Sequence, residues 1–184
     1  MTIVFNTATT ANGYLADADH SLAWLFEVPG EVPDMAPFTE SVTTLVMGSH
    51  TYEWLLREER LLDDPQKWQG FYGSRPTYVF TTRDLEVVPG ADLHFVHGPV
   101  TEALPAIRSA AEDGVIWLIG GGDLVGQFLD ADALDEIVLA IAPTFLAVGQ
   151  PLLPRDLHAD RLSLHGVERV GQFALVTYLV GRHD

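Results

Sequence analysis

The sequence predicts a three-layer α/β domain, with a mostly parallel mixed sheet, helices on both faces and an antiparallel C-terminal hairpin. Three observations carry this. Strand-like and helix-like segments alternate along most of the chain, the pattern of βα units. Val115–Ile119 is an apolar run that enters Gly120-Gly121-Gly122 and then a helical pattern. Leu162–Val170 and Phe173–Val180 flank a tight Gly171-Gln172 turn, which makes them a hairpin. No repeat or linker interrupts the 184 residues, so residues 1–184 are read as one domain.

The elements follow in order. Thr2–Thr9 is short and β-branched, a first strand, and Asn12-Gly13 is a turn signal. Asp17 to His20 is a polar loop; no glutamate with calcium-loop spacing follows, so solvation is the simpler reading than a metal. Glu27–Pro37, rich in proline and acids, is a loop leading to a short helix at Asp34–Ser41. Val42–Met47 is the second strand. Gly48-Ser49-His50-Thr51 breaks it and starts a helix, with Ser49 as N-cap and Tyr52, Leu55, Leu56 and Leu62 on its apolar side. Leu61–Gly73 reads as a surface excursion, with Trp54 and Trp68 at the surface or an interface. Pro76–Thr81 and Leu93–Val96 are strands. His94 and His97 are three apart in a strand and so face opposite sides, which argues against joint metal binding. A helix runs from Thr101 to Ala111, with Pro105 near its first turn. Val115–Ile119, apolar throughout, suits a strand covered on both faces and puts Trp117 in the core. Leu124, Val125, Phe128 and Leu129 share one face of the next helix. Asp135–Ile141 is a strand, and Pro143–Pro154 a loop.

Composition bounds the function. A net charge of −16, from 26 acidic and 10 basic residues, repels nucleic acid and anionic membranes. With no cysteine, disulfides, thiolate metal sites and cysteine nucleophiles are excluded. Lys67 is the one lysine, so an anionic ligand must be held by other donors. Neither a membrane-length apolar run nor a signal peptide is apparent, and a cytoplasmic protein is expected. No metal site is expected.

Three strand ends carry similar equipment. Met47 leads into Gly48, Ser49, His50 and Thr51; Phe80 leads into Thr81, Thr82 and Arg83; Ile119 leads into Gly120, Gly121, Gly122, Asp123 and Leu124. If these strands are parallel neighbours, two helix N-termini, hydroxyls and one arginine line one rim of the sheet. Free backbone N–H groups and the helix dipole suit a pyrophosphate, and a cation with hydroxyls suits a ribose phosphate. The triple glycine alone is equally well a tight turn.

These segments resemble the dihydrofolate reductase superfamily, in particular the branch containing the C-terminal reductase domain of bacterial riboflavin biosynthesis. Val46–Glu53 is similar to the family's strand–Gly-Arg-x-Thr–helix segment. Gly120-Gly121-Gly122 with Gln127-Phe128 is similar to its glycine turn, and Tyr78–Arg83 to its hydroxyl-rich strand end. Asn12–Ala16 through Leu22–Leu25 resembles the branch's Asp-Gly-x-Ile-Ala … Trp-Leu opening, and Ala140–Leu153 its Pro … Gly-x-Pro-Leu segment. The resemblance runs in order along the chain and implies a dihydrofolate reductase-like fold that binds NADPH, with NADH as the variant. It implies phosphate contacts at Gly48–Thr51 and Gly120–Leu124. Thr81, Thr82 and Arg83 would lie at the adenosine ribose, and Ala8, Leu15 and Ala16 beside the nicotinamide. Asn12 and Trp24 would border the substrate, although core packing accounts for Trp24 equally well. A homodimer pairing through the C-terminal strands is also implied.

The departures are specific. Ser49 stands where the family has arginine, Asn12 where the branch has aspartate, and Ala23 where an acid often precedes the tryptophan. No residue matches the carboxylate that dihydrofolate reductases hold against the pteridine; Glu40 and Asp34 are candidates of unknown register. Asp123 beside a phosphate would repel it, and is expected to cap its helix pointing away. No catalytic residue is identified. The expected function is NAD(P)H-dependent reduction of a small heterocyclic, pteridine- or pyrimidine-like, or conjugated substrate by hydride transfer. The alternatives are a ribosylaminopyrimidine reductase of riboflavin biosynthesis and a non-catalytic nucleotide-binding module.

Overall fold

The structure, a computed structural model, describes residues 1–182. Its strands are β1 (Thr2–Thr10), β2 (Tyr14–Asp17), β3 (Val42–Gly48), β4 (Thr77–Phe80), β5 (Leu93–Val96), β6 (Val115–Gly120), β7 (Glu136–Ala142), β8 (Gly149–Pro151), β9 (Leu162–Val170) and β10 (Phe173–Val180). Its helices are α1 (Ala23–Phe26), α2 (Ala36–Ser41), α3 (Ser49–Glu58), α4 (Gln66–Tyr72), α5 (Val100–Ala111) and α6 (Gly122–Asp130). Eight strands form one sheet in the order β5-β4-β3-β6-β1-β7-β10-β9. The first six of these pair in parallel, and β10 joins β7 and β9 antiparallel. The expected mixed sheet with a C-terminal hairpin is therefore the observed one.

Strand alternation sorts the core into layers. Val46, Tyr78 and Leu118 face one side, with Ile107 of α5 and Val125 and Phe128 of α6. Met47, Val79 and Ile119 face the other, with Tyr52 and Leu55 of α3 and Trp68 of α4. Burying one such side chain fully stabilises the fold by roughly 1.5–3 kcal/mol. A third cluster, Trp24, Ala142 and Phe173, covers the β7–β10 end of the second face. Between it and the α3–α4 layer the second face is left open.

Several expectations are corrected. Residues 61–73 are not a surface excursion: they contain α4, and Leu61 and Trp68 are fully buried. Leu61 goes inward in place of Leu62 because α3 ends at Glu58 and Arg60, at φ 53, turns the chain out of helical phase. Gly149–Pro151, expected in a loop, pairs with Tyr14–Asp17, of which only Asp17 is expected in a loop, as a two-stranded antiparallel sheet. A Cβ on Gly149 would lie 2.3 Å from the Ala16 carbonyl oxygen, so only glycine permits this approach. Pro105 is not in the first turn but sixth in α5, on its exposed side. There the Thr101 carbonyl, deprived of its helical donor, can be solvated.

Candidate functional site

The open part of the second face is a cleft of about 920 Å³. Asn6 and Ala8 of β1, Trp117 and Ile119 of β6 and Ala140 of β7 belong to its floor. Parallel pairing of β4, β3, β6 and β1 brings their C-terminal ends together, which meets the condition on which the reading of the three strand ends depended. At the β3 end, Gly48 is extended, φ −84 and ψ 163, and caps α3 through its backbone. At the β6 end, Gly120 has φ 138, a value that side chains rarely adopt, and Gly121 caps α6 with φ −77 and ψ 178. Gly48 approaches the glycine turn closely: a Cβ there would be 3.7 Å from the Gly120 oxygen. Two helix N-termini, each with leading N–H groups that lack helical partners, thus border one cleft.

The opposite end is apolar. Leu22, Trp24, Leu25, Phe26, Val28, Val32, Pro33 and Met35 wall it, with Phe173 of β10. Trp24 belongs to both descriptions offered for it, being 6% exposed in the third core cluster and part of the cleft wall. Its buried indole N–H has no acceptor among the described residues. The Asp17 carboxylate accepts the Asp19 and Ser21 amides at 2.9 and 2.8 Å and shapes the loop that carries His20. His20 stacks on His50 at 5.1 Å, joining that loop to the start of α3.

Of the residues singled out in the sequence, Ala8, Leu15, Ala16, Trp24, Gly48, Ser49, His50, Thr51, Gly120, Gly121, Gly122, Asp123 and Leu124 line the cleft. Asn12, Thr81, Thr82 and Arg83 do not. Asn12 is a latch: its side chain donates to the Leu146 carbonyl at 2.7 Å and accepts the Leu146 amide at 3.2 Å. The Thr81 hydroxyl accepts the Arg83 amide at 2.9 Å and fixes the turn after β4, while Thr82 is exposed. Arg83 is turned onto α3. Its two terminal nitrogens donate to Glu53 at 2.9 and 2.6 Å, and one also reaches the Ser49 hydroxyl at 3.3 Å.

Three further expectations change. Ser49 is the first helical residue and makes no capping bond; Gly48 is the N-cap. Asp123 does not cap α6 either; its carboxylate takes Arg155 at 3.1 Å and Gln127 at 3.0 Å, so its charge is countered beside the helix start. Trp117 is not core but cleft floor: it is only partly buried and belongs to none of the buried clusters. Its indole N–H donates to the Asn6 carbonyl at 2.9 Å, and Phe38 meets its ring edge-on at 5.4 Å. The even apolar run hid this, because β6 is fully covered on one face only.

Neither carboxylate candidate lines the cleft. Asp34 accepts the Ala36 amide at 2.9 Å at the start of α2, and Glu40 is exposed. The ionisable side chains on the described lining are His20, His50, Asp123 and Tyr72. Burial, then the charge of Glu59, pushes the Tyr72 phenol up to about 12, so it stays neutral and can donate a hydrogen bond. Asn6, Thr7 and Gln150 are polar lining residues that the sequence alone did not single out. For Asn6 the signal was present, a polar residue two before Ala8 on the same strand face.

Comparison with known proteins agrees with this architecture. The family model of the RibD C-terminal domain matches residues 1–176. YwjB of Bacillus subtilis (strain 168), an uncharacterised protein, is 28% identical over 177 residues, covering 96% of each chain. A crystal structure from Shewanella sp. PV-4, assigned provisionally to riboflavin biosynthesis, superposes with a TM-score of 0.78 at 26% identity, covering 99% of this chain and 100% of that one. Dihydrofolate reductase from Enterococcus faecalis, complexed with NADP(H), shares the fold with a TM-score of 0.62 at 16% identity, covering 100% and 97%.

Proposed function

Because the chain belongs to the RibD C-terminal domain family, we propose that it is a reductase that uses a reduced nicotinamide dinucleotide, NADPH or NADH. Its acceptor would be a small heterocyclic, pteridine- or pyrimidine-like, or conjugated molecule. The observation that carries this is the polarity of the cleft: two helix N-termini and a glycine turn at one end, aromatic and aliphatic walls at the other. The backbone amides opening α3 and α6 suit a pyrophosphate, which needs several convergent donors and close approach. The Arg155 contact with Asp123 favours an anion there by offsetting the nearest carboxylate. When bound, the dinucleotide supplies the hydride.

This chain's residues then have three tasks. Ala8, Leu15 and Ala16, small or apolar, leave room for a flat ring over β1. Trp24 and Phe173 exclude water from the acceptor. Asn6 and Gln150 offer the acceptor hydrogen bonds from the cleft lining. The apolar end has no carboxylic acid among its described lining residues, so the proton is assigned to water. A second reading, a nucleotide-binding module without turnover, draws on that same lack of an acid. Reduction of a ribosylaminopyrimidine, the third reading, is separated by supplying that compound.

The deciding measurement is a titration. NADPH or NADH is expected to quench tryptophan fluorescence with micromolar affinity, about −8 kcal/mol at ~1 μM. No change up to millimolar concentrations of either would overturn the reductase reading. Binding without consumption of the reduced cofactor across a panel of quinones, pterins and aminopyrimidines would favour the non-catalytic module.

A further inference from the structure

Arg83 is the cation nearest the start of α3 in the hydrogen-bond network, yet its charge is already committed. Both terminal nitrogens of its guanidinium meet the Glu53 carboxylate, at 2.9 and 2.6 Å, as a parallel two-bond fork, and Ser49 takes one of them as well. Glu53 lies one helical turn beyond Ser49, so α3 carries the carboxylate back toward its own N-terminus. The pair is half-exposed and sits at the strand-end rim.

We propose that Glu53 sets the dinucleotide preference and tilts the chain toward NADH. The proposal rests on the reading just given: Ser49, which takes Arg83, lines the cleft at the start of α3, so an adenosine ribose held there lies beside the pair. A ribose 2′-phosphate carries about −1.5 to −2 charges at neutral pH. Within reach of Arg83 it is also beside Glu53, whose oxygens occupy the geometry that a phosphate would use on that guanidinium. It must displace the carboxylate or share the fork with it at close range. The surrounding chain, at −16, offers no long-range compensation. Ser49, a neutral hydroxyl, supplies no second cation. An unphosphorylated ribose meets none of this: its 2′-hydroxyl donates a hydrogen bond, and a carboxylate is the acceptor that suits it.

The test compares NADH and NADPH binding, by tryptophan quenching, in the parent chain, Glu53→Gln and Arg83→Gln. The parent is expected to bind NADH at least as tightly as NADPH. Glu53→Gln keeps the shape and removes the charge, and is expected to shift the affinity ratio about tenfold or more toward NADPH. Arg83→Gln is expected to lack that gain when combined with Glu53→Gln. Competition of 2′,5′-ADP against ADP in the parent gives the same comparison without a variant, so a poorly folded variant leaves the question decidable. A parent that prefers NADPH about tenfold or more, or a ratio unchanged in Glu53→Gln, overturns the proposal. Failure of the parent to bind either dinucleotide removes the reductase reading itself.

Discussion

A Cβ on Gly121 would meet no protein atom within 4 Å, although the residue borders the cleft. On the adjacent Gly122 it would fall 2.3 Å from the Pro151 carbonyl oxygen. Gly121 also has φ −77, a value open to any residue. Gly121→Val should therefore leave folding stability within about 1 kcal/mol of the parent and abolish dinucleotide quenching. Gly122→Ala should cost about 1–3 kcal/mol through overpacking. Urea denaturation and fluorescence titration read the two effects separately; retained affinity in folded Gly121→Val would move the phosphate site elsewhere. The glycine turn and Gly48–Thr51 were legible in the sequence because backbone donors depend on position along the chain. The partners of Arg83, Asp123 and Asn12 were not, since a side chain's choice among neighbours is settled by tertiary contacts.

At the scale of elements, α3 and α4 are tied by aromatic contacts. Tyr52 meets Trp68 at 6.2 Å, and Trp68 meets Tyr72 at 4.8 Å. Tyr52 donates to the Glu86 carbonyl at 2.7 Å. Burial pushes its phenol up to about 12, with Glu86 adding to the rise, and Tyr72 is pushed up to about 12 as well. Both groups are raised above the ordinary tyrosine value of 10.0, so the folded state holds their protons after the unfolded chain has lost them. Their contribution is complete below pH 10.0 and is lost as pH climbs toward about 12. The urea midpoint should therefore fall over that interval, with phenolate absorbance appearing alongside; Tyr52→Phe should reduce the slope. An unchanged midpoint over the interval would show that these phenols are not protected by folding. Much of this pairing escaped the sequence. In residues 61–73 a single tryptophan anchors a seven-residue helix, too short to display an apolar period. The β2–β8 ribbon escaped for a related reason, as three residues of Gly149–Pro151 carry no alternation.

For the molecule as a whole, the mostly parallel sheet with its antiparallel terminal hairpin follows from features legible beforehand: apolar strands, short βα turns and a terminal tight turn. The open second face was not legible, because apolar residues wall a cleft as readily as they fill a core. β9 forms one edge of the sheet and exposes Leu164 and Val167, with Leu179 of β10 also exposed. Phe145 and Val148, in the segment latched by Asn12, are exposed as well, as is Phe26 on the cleft wall. Apolar surface so distributed favours a two-fold homodimer through the C-terminal hairpin side. Light scattering at micromolar concentration should give twice the chain mass; 20.2 kDa would rule the dimer out. The parallel direction of β6 has one more consequence. Gly120 ends that strand at the cleft, so exposed Asp113, just before the strand begins at Val115, lies at the opposite end of the parallel strands. The chain contains no cysteine. An Asp113→Cys variant would thus offer a maleimide-coated chip or a fluorescent dye one point of attachment, oriented by the strand itself, with the cleft left facing bulk solution.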